Sequence, residues 1–254
     1  MGRMDGKVAV VTGSGGGICA AVAKMFAQEG SKVVLVDRKP EVKDHAAEIV
    51  DAGGDAVFLQ LDVGVKENWD TIFKTTIDTF GTCTTIVNGA ADFSLAGDWD
   101  ANKDGYLENW DVVFKSNIMS MVYSYLTFMP YFQETETESA FFNFSSVTAY
   151  TYAGAACQAY PASKAVIRLI TQDMAAKHSK DGVRFNCCAP NNIYTPENDF
   201  IYTHYHDKFI ADTPLGFLGD VKDVAYLAVF LCSDEARFIT GACVPIDGGF
   251  LTCH

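Results

Sequence analysis

The sequence of 254 residues contains no apolar run near the roughly 18 residues a membrane-spanning helix needs. Positive charge is scarce: Lys plus Arg number 19 against 32 Asp plus Glu, a net charge of −13. Such a chain repels phosphate backbones, so nucleic-acid binding is excluded as a general mode, and an acidic carrier-protein partner is disfavoured. Proline is sparse at 7 residues, and no Pro/Gly/Ser linker, repeat or low-complexity tract divides the chain, which points to one domain over residues 1–254. The 8 cysteines form no C-x-x-C pair, so reduced thiols fit better than a disulfide framework. Histidine is rarer still, and His204-Tyr205-His206 lacks the further ligands of a zinc site, so no metal is expected. Met1 to Lys7 is polar and lacks the build of a signal peptide, which leads to the expectation of a cytoplasmic protein.

What is present is a regular alternation. Val8–Thr12, Lys32–Asp37, Ala56–Leu61 and Thr84–Asn88 read as strands, as do runs near 140–145, 183–188 and 242–246. Helical patterns occupy Ile18–Glu29, Glu41–Ala52, Val65–Phe80 and the stretches near 106–133, 158–180 and 221–232. Strands alternating with helices predict an α/β fold: a Rossmann-type, doubly wound, mostly parallel seven-stranded sheet with helices on both faces. Residues 1–90 form mainly a dinucleotide-binding half, and the long irregular stretch 190–219 a candidate substrate loop.

The first strand runs into Gly13-Ser14-Gly15-Gly16-Gly17-Ile18-Cys19. A strand, a glycine turn and a helix start in that order let backbone N–H groups and the helix dipole meet a pyrophosphate. Asp37 ends the second strand, where a carboxylate accepts hydrogen bonds from adenosine ribose hydroxyls and repels a 2′-phosphate, favouring NAD over NADP. Arg38 and Lys39 follow and partly offset that repulsion. Asp62 and Val63, at the end of the third strand, are placed for the adenine edge.

Tyr160 and Lys164 lie one helical turn apart in Tyr160-Pro161-Ala162-Ser163-Lys164, so they share a helix face. An ammonium beside a phenol favours the phenolate, which would turn a poor base into a usable one. Together with these features, Thr12-Gly13 through Gly17-Ile18-Cys19, Asn88-Gly89-Ala90-Ala91, Ser145-Ser146-Val147, Asn186 to Pro190 and Ile246-Asp247-Gly248-Gly249 fall in a fixed order. In that order they resemble the classical short-chain dehydrogenase/reductase family from about residue 5 to residue 250.

The resemblance implies Tyr160 as general acid/base, Ser146 polarising the same oxygen, Lys164 lowering the Tyr160 pKa and holding the nicotinamide ribose, and Asn117 anchoring a water beside Lys164. It implies cofactor contacts at Gly13, Gly15, Gly17, Ile18, Asp37, Asp62, Val63, Asn88, Ile193 and Thr195, and a homotetramer pairing through the helices near 106–133 and 158–180. Four departures stand out: Cys19 replaces a glycine, Gly89 an asparagine, Ala91 a glycine, and Asn191 the glycine after Pro190. The interval from Ser146 to Tyr160 is also one residue longer than usual, which keeps Ser145 open as the catalytic hydroxyl.

Tyr194, Phe200, Ile201, Tyr202, Tyr205, Phe209, Leu215 and Phe217 give the substrate loop apolar faces suited to an apolar alcohol or ketone, or equally to a neighbouring subunit. The leading expectation is therefore an NAD-dependent enzyme interconverting a secondary alcohol and a ketone, steroid- or bile-acid-like, cyclic or aryl. A non-catalytic dinucleotide sensor or scaffold would be expected to lose Tyr160 or Lys164. An acyl-carrier-linked ketoreductase would want basic residues where Pro130-Tyr131-Phe132-Gln133-Glu134 stands.

Asp100-Ala101-Asn102-Lys103-Asp104-Gly105, continuing to Asp111, nearly copies a calcium loop, but no amphipathic helix precedes it and no second loop pairs with it. An Asp/Asn/Gly turn leading into an acidic helix start accounts for it. Calorimetric titration with calcium is expected to give no binding heat.

Overall fold

The computed structural model describes residues 2–92, 106–151 and 158–253. The β-branched runs form strands β1 (Val8–Thr12), β2 (Lys32–Asp37), β3 (Ala56–Gln60), β4 (Thr85–Asn88), β5 (Ser139–Phe144), β6 (Val183–Pro190) and β7 (Cys243–Ile246). All pairings are parallel, and the order is β3-β2-β1-β4-β5-β6-β7. The chain leaves β1 toward one edge and returns through β4 toward the other, so a crevice opens at the carboxyl ends of β1 and β4.

Alternation along each strand divides the core. Ala9, Val11, Val33 and Leu35 face helices α1 (Gly17–Gln28), α2 (Val42–Asp51) and α8 (Val221–Cys232). Val10, Val34, Val36 and Ile86 face α3 (Asn68–Phe80), α5 (Ser120–Thr135) and α6 (Ala159–His178). Both faces are covered, which is why the central strands are apolar throughout. On the second face Phe141 of β5 stacks on Phe185 of β6 with ring centroids 5.0 Å apart. Arg184 reaches from β6 to the last carbonyls of α8, donating to Leu231 O at 2.6 Å and Ser233 O at 3.1 Å, and so anchors a helix end that lacks its own donors.

Two features depart from the sequence pattern. The helical stretch near 106–133 is α4 (Tyr106–Phe114) and α5 joined by a π-helical turn, Lys115–Met119. The irregular stretch 190–219 contains a helix, α7 (Asp199–Ala211). Its aromatic and polar residues are spread around the axis and Tyr202 alone is buried, so no one-sided apolar period announces it. Residues 100–105 of the calcium-like loop and Cys157 lie outside the described residues, while Asn109, Trp110 and Asp111 belong to α4.

The positions of Cys19 and Gly89 explain each other. A Cβ built on Gly89 would overlap the Cys19 sulfur and lie 3.0 Å from Thr12 O. Cysteine thus fits under the first turn of α1 because the residue facing it, after β4, has no side chain. Gly89→Ala is expected to cost about 1–3 kcal/mol in urea unfolding. Adding Cys19→Gly should recover part of that loss, and a fully stable single variant would refute the pairing.

Candidate active site

The crevice at the ends of β1 and β4 is a cleft of about 1140 Å³. At one end lie Gly13, Gly16, Gly17, Ile18, Asp37, Asp62 and Val63, and at the other Ser146, Tyr160, Lys164, Ile193 and Thr195. Gly13 has φ 76° and a Cβ there would strike the Ala90 backbone, so the turn tolerates only glycine. The N-terminus of α1 has no side-chain cap and no acidic residue in its first turn. Its N–H groups are therefore left to a ligand, which fits the diphosphate of a dinucleotide. Gly15 stands back from the cleft wall; its N–H donates to Asp37 Oδ2 at 2.9 Å, and Lys39 N–H donates to Asp37 Oδ1 at 2.9 Å. Both bonds orient the carboxylate and leave it further acceptor capacity. Arg38 also lines the cleft and pairs with Asp92 at 2.9 Å.

Strand alternation separates the two serines. Ser145 Oγ donates to Lys164 O at 2.9 Å and is spent on the backbone of α6. Both serines line the cleft; Ser146 accepts from Thr148 N–H at 3.2 Å and, with the Ser145 hydroxyl claimed by α6, is the one that favours the ionised Tyr160 phenol.

Lys164 is 3% exposed, and its Nζ donates to Phe144 O at 2.8 Å and sits 5.4 Å from the Tyr160 ring centre. Burial lowers its pKa to about 8. Burial likewise raises Tyr160 to about 12, the nearby Ser146 hydroxyl only partly opposing it. The expectation of a tyrosine pKa lowered by Lys164 is thus not met in this state: the desolvation of the phenol dominates, and the ammonium is turned to a carbonyl.

Two expected contacts lie behind the cleft. Asn88 Nδ2 donates to Asn143 Oδ1 at 2.9 Å, and Asn143 Nδ2 in turn reaches Tyr125 and Thr171, so Asn88 braces the sheet instead of lining the cleft. Asn117, in the π turn, accepts from Asp92 N–H at 2.7 Å and donates to Ser163 Oγ at 3.0 Å. It fastens the segment after β4 to α6 and makes no direct bond to Lys164 among those of the described residues.

Of the loop residues, Ile201, Tyr202, Tyr205 and Phe209 of α7 line the cleft. Leu215 and Phe217 line a smaller cavity beside Asp247 to Gly249, and Tyr194 and Phe200 line neither. Lys208 and Asp212 join the cleft wall, polar residues that an apolar-pattern search of the loop passes over.

A family model described as enoyl-(acyl carrier protein) reductase matches residues 13–251. A 2,5-dichloro-2,5-cyclohexadiene-1,4-diol dehydrogenase from Sphingobium indicum is 34% identical, over 98% of this chain and 97% of its own. The chain belongs to the short-chain dehydrogenase/reductase family. It is thus an oxidoreductase of the alcohol-dehydrogenase type, on a fold that binds a nicotinamide dinucleotide. The NADP-dependent (R)-specific alcohol dehydrogenase of Lentilactobacillus kefiri is 32% identical, with 98% of each chain covered. The 3β-hydroxysteroid dehydrogenase 1 of Eggerthella lenta is 30% identical, over 97% of this chain and 94% of that one. A crystal structure of a protein assigned to the same family, from Burkholderia xenovorans, superposes with a TM-score of 0.91 at 30% identity, with 100% of both chains covered.

The buried Lys164 charge has a consequence for stability. Its folded pKa, about 8, lies below the ordinary lysine value of 10.5, so the folded state sheds its proton first. The penalty is full below pH 8 and fades as pH rises toward 10.5. Lys164→Met is expected to raise the melting temperature at pH 7 and to lose that advantage by pH 10.5, measured by scanning calorimetry; a gain that grows with pH would refute the assignment.

Proposed function

We propose that the protein is an NAD(H)-dependent oxidoreductase interconverting a secondary alcohol and a ketone on a small, largely apolar substrate. The observation that carries this is that Ser146, Tyr160 and Lys164 share the wall of the same cleft that Asp37 closes at its far end. Bound there, the dinucleotide supplies or accepts the hydride. Tyr160, protonated at neutral pH, donates its proton to the carbonyl oxygen in reduction and recovers it in oxidation. Ser146 hydrogen-bonds the same oxygen and keeps it within reach of the phenol. Lys164 sets a positive charge beneath the tyrosine and presents its ammonium to a ribose, while Asn117 holds the segment after β4 against α6.

NAD preference follows from two carboxylates. Asp37 stands where a 2′-phosphate would have to lie, and Asp92 engages the one neighbouring guanidinium, that of Arg38, that could offset it. Relatives named as NADP-dependent and neighbours holding NADP make this a property of the particular residues rather than of the fold. Asp62, Val63, Ile193 and Thr195, with Gly13, Gly17 and Ile18, complete the dinucleotide contacts.

The aromatic wall from α7 favours a cyclic or aryl ring system, steroid- or bile-acid-like included; relatives named for a cyclohexadiene diol, borneol and a hydroxysteroid accord with this. Exposed Leu126 and Leu169, on α5 and α6, support assembly through those helices into a homotetramer. Among the described residues no helix is long and apolar enough to cross a membrane, and a cytoplasmic location fits the thiol content.

With NADH and a panel of cyclic ketones and steroids, Tyr160→Phe is expected to lower kcat by about 10²–10⁴-fold while NADH still binds. Asp37→Ser should shift the kcat/KM ratio toward NADPH, and adding Asp92→Asn should shift it further only while Arg38 is present. A wild-type protein that prefers NADPH would overturn the cofactor assignment and leave the role of Tyr160 standing.

A further inference from the structure

Behind the catalytic serine, on the α6 face of the sheet, two cysteines stand side by side. Cys187 of β6 and Cys243 of β7 are direct partners in the parallel register, and Cys187 N–H donates to the neighbouring Ala242 O at 2.8 Å. Direct partners project to the same face from strands about 4.8 Å apart, inside the roughly 4.4–6.8 Å Cα separation that a disulfide spans. The two thiols lie close enough to shift each other's acidity. Cys188, the next residue, points to the opposite face among Phe144, Val224 and Ala228, so it cannot compete for Cys243.

The surroundings of the two thiols differ. Cys187 is fully buried, whereas Cys243 is partly exposed. The half-exposed Tyr150 is near enough to Cys243 to favour its thiolate. Arg168 stacks on the Tyr150 ring at 5.0 Å, its buried Nε has no hydrogen-bond partner among the described residues, and its charge falls on Cys243. The Ser145 hydroxyl also lies near Cys243. The neighbouring Cys187 thiol first, then Tyr150 and Arg168, bring the Cys243 thiol down to about 7 against the opposing effect of burial, while Cys187 is pushed up. A partly exposed thiolate beside an unneutralised cation is the setting of a reactive cysteine, and a buried protonated thiol in contact with it is a resolving partner.

We propose that Cys243 and Cys187 form a hydroperoxide-reactive dithiol, with Cys243 the attacking and Cys187 the resolving thiol, whose disulfide slows the catalytic site. The Cys243 thiolate attacks the terminal oxygen of the hydroperoxide, the O–O bond breaks, the transferred OH gives a sulfenic acid, and the leaving alkoxide takes from solvent the proton that the thiol had released, giving an alcohol (water from hydrogen peroxide). The Cys187 sulfur then attacks the Cys243 sulfur; the S–S bond forms, the S–O bond breaks, and the hydroxide takes the Cys187 proton as water. Two thiols are oxidised by two electrons and one hydroperoxide is reduced. The coupling runs through Ser145, whose N–H donates to Cys188 O of β6 at 2.8 Å and whose hydroxyl holds the Lys164 carbonyl at 2.9 Å. A shift of β7 toward β6 therefore reaches the helix that carries Tyr160 and Lys164.

The test uses the full chain with Cys253→Ser, which removes the one exposed thiol among the described residues, and Cys157→Ser, treated with hydrogen peroxide at pH 7. Peptide mapping is expected to show the loss of two alkylatable thiols per chain and a Cys187–Cys243 link, reversed by dithiothreitol and absent in Cys243→Ser. Oxidation of Cys243 to a sulfinic acid with Cys187 still alkylatable, a link through another cysteine, or no reaction would overturn the dithiol. The linked form is expected to reduce ketone roughly 10- to 100-fold more slowly, with Cys243→Ser unaffected by peroxide; unchanged turnover in linked protein would overturn the coupling. That second half rests on the dehydrogenase reading, whereas the mapping does not, so the two fail separately.

Discussion

The catalytic end of the cleft depends on a reciprocal pair of hydrogen bonds between the end of β5 and the middle of α6. Lys164 sends its ammonium down to the Phe144 carbonyl, and Ser145, the next residue of the strand end, sends its hydroxyl to the Lys164 carbonyl. Each element thus satisfies a backbone acceptor of the other. The clasp sets Tyr160, one turn earlier on α6, against Ser146, one residue later on the β5 side. It also explains how a nearly inaccessible cation persists: the carbonyl and the Tyr160 ring face substitute for part of its lost hydration.

A second brace lies deeper. Asn143, fully buried in β5, joins Asn88 of β4, Tyr125 of α5 and Thr171 of α6 through bonds of 2.7–2.9 Å. Every amide group of Asn143 is used, so the network rigidifies the strand that carries Ser145 and Ser146 instead of leaving a desolvated polar group. At the other end of the cleft the same economy holds Asp37, whose two oxygens are oriented by the backbone N–H groups of Gly15 and Lys39 before any ribose is present.

Much of this was legible from residues alone, for identifiable reasons. The strands and most helices follow from alternation and period, and the glycine turn, Asp37, Tyr160 and Lys164 carry chemistry that their spacing exposes. The motif favoured Ser146 with Ser145 as the fallback; what was not legible is that the α6 backbone claims the Ser145 hydroxyl. Nor was the π turn, since the apolar pattern through 106–133 continues across it. α7 was hidden because its aromatics surround the axis. Asn88 and Asn117 were recognised as important, but their bonds to Asn143 and to Asp92 and Ser163 were not foreseen: a motif reveals that a polar group is needed, and only packing reveals what it bonds. The compensation between Cys19 and Gly89 was invisible as well, although both departures were plain in sequence, since nothing in sequence says that they touch.

The π turn at Lys115–Met119 is, in length, one residue more than a regular helix would use to span the same turns. Each residue advances an α-helix by about 100°, so a chain shortened by one position there would keep its helix but carry every later side chain to a different face. Asn117 would leave Asp92 and Ser163, and the apolar stripe of α5 would lose its register with the sheet. A residue count, as much as any residue's identity, is therefore a requirement of this site: the segment should tolerate substitution far better than deletion.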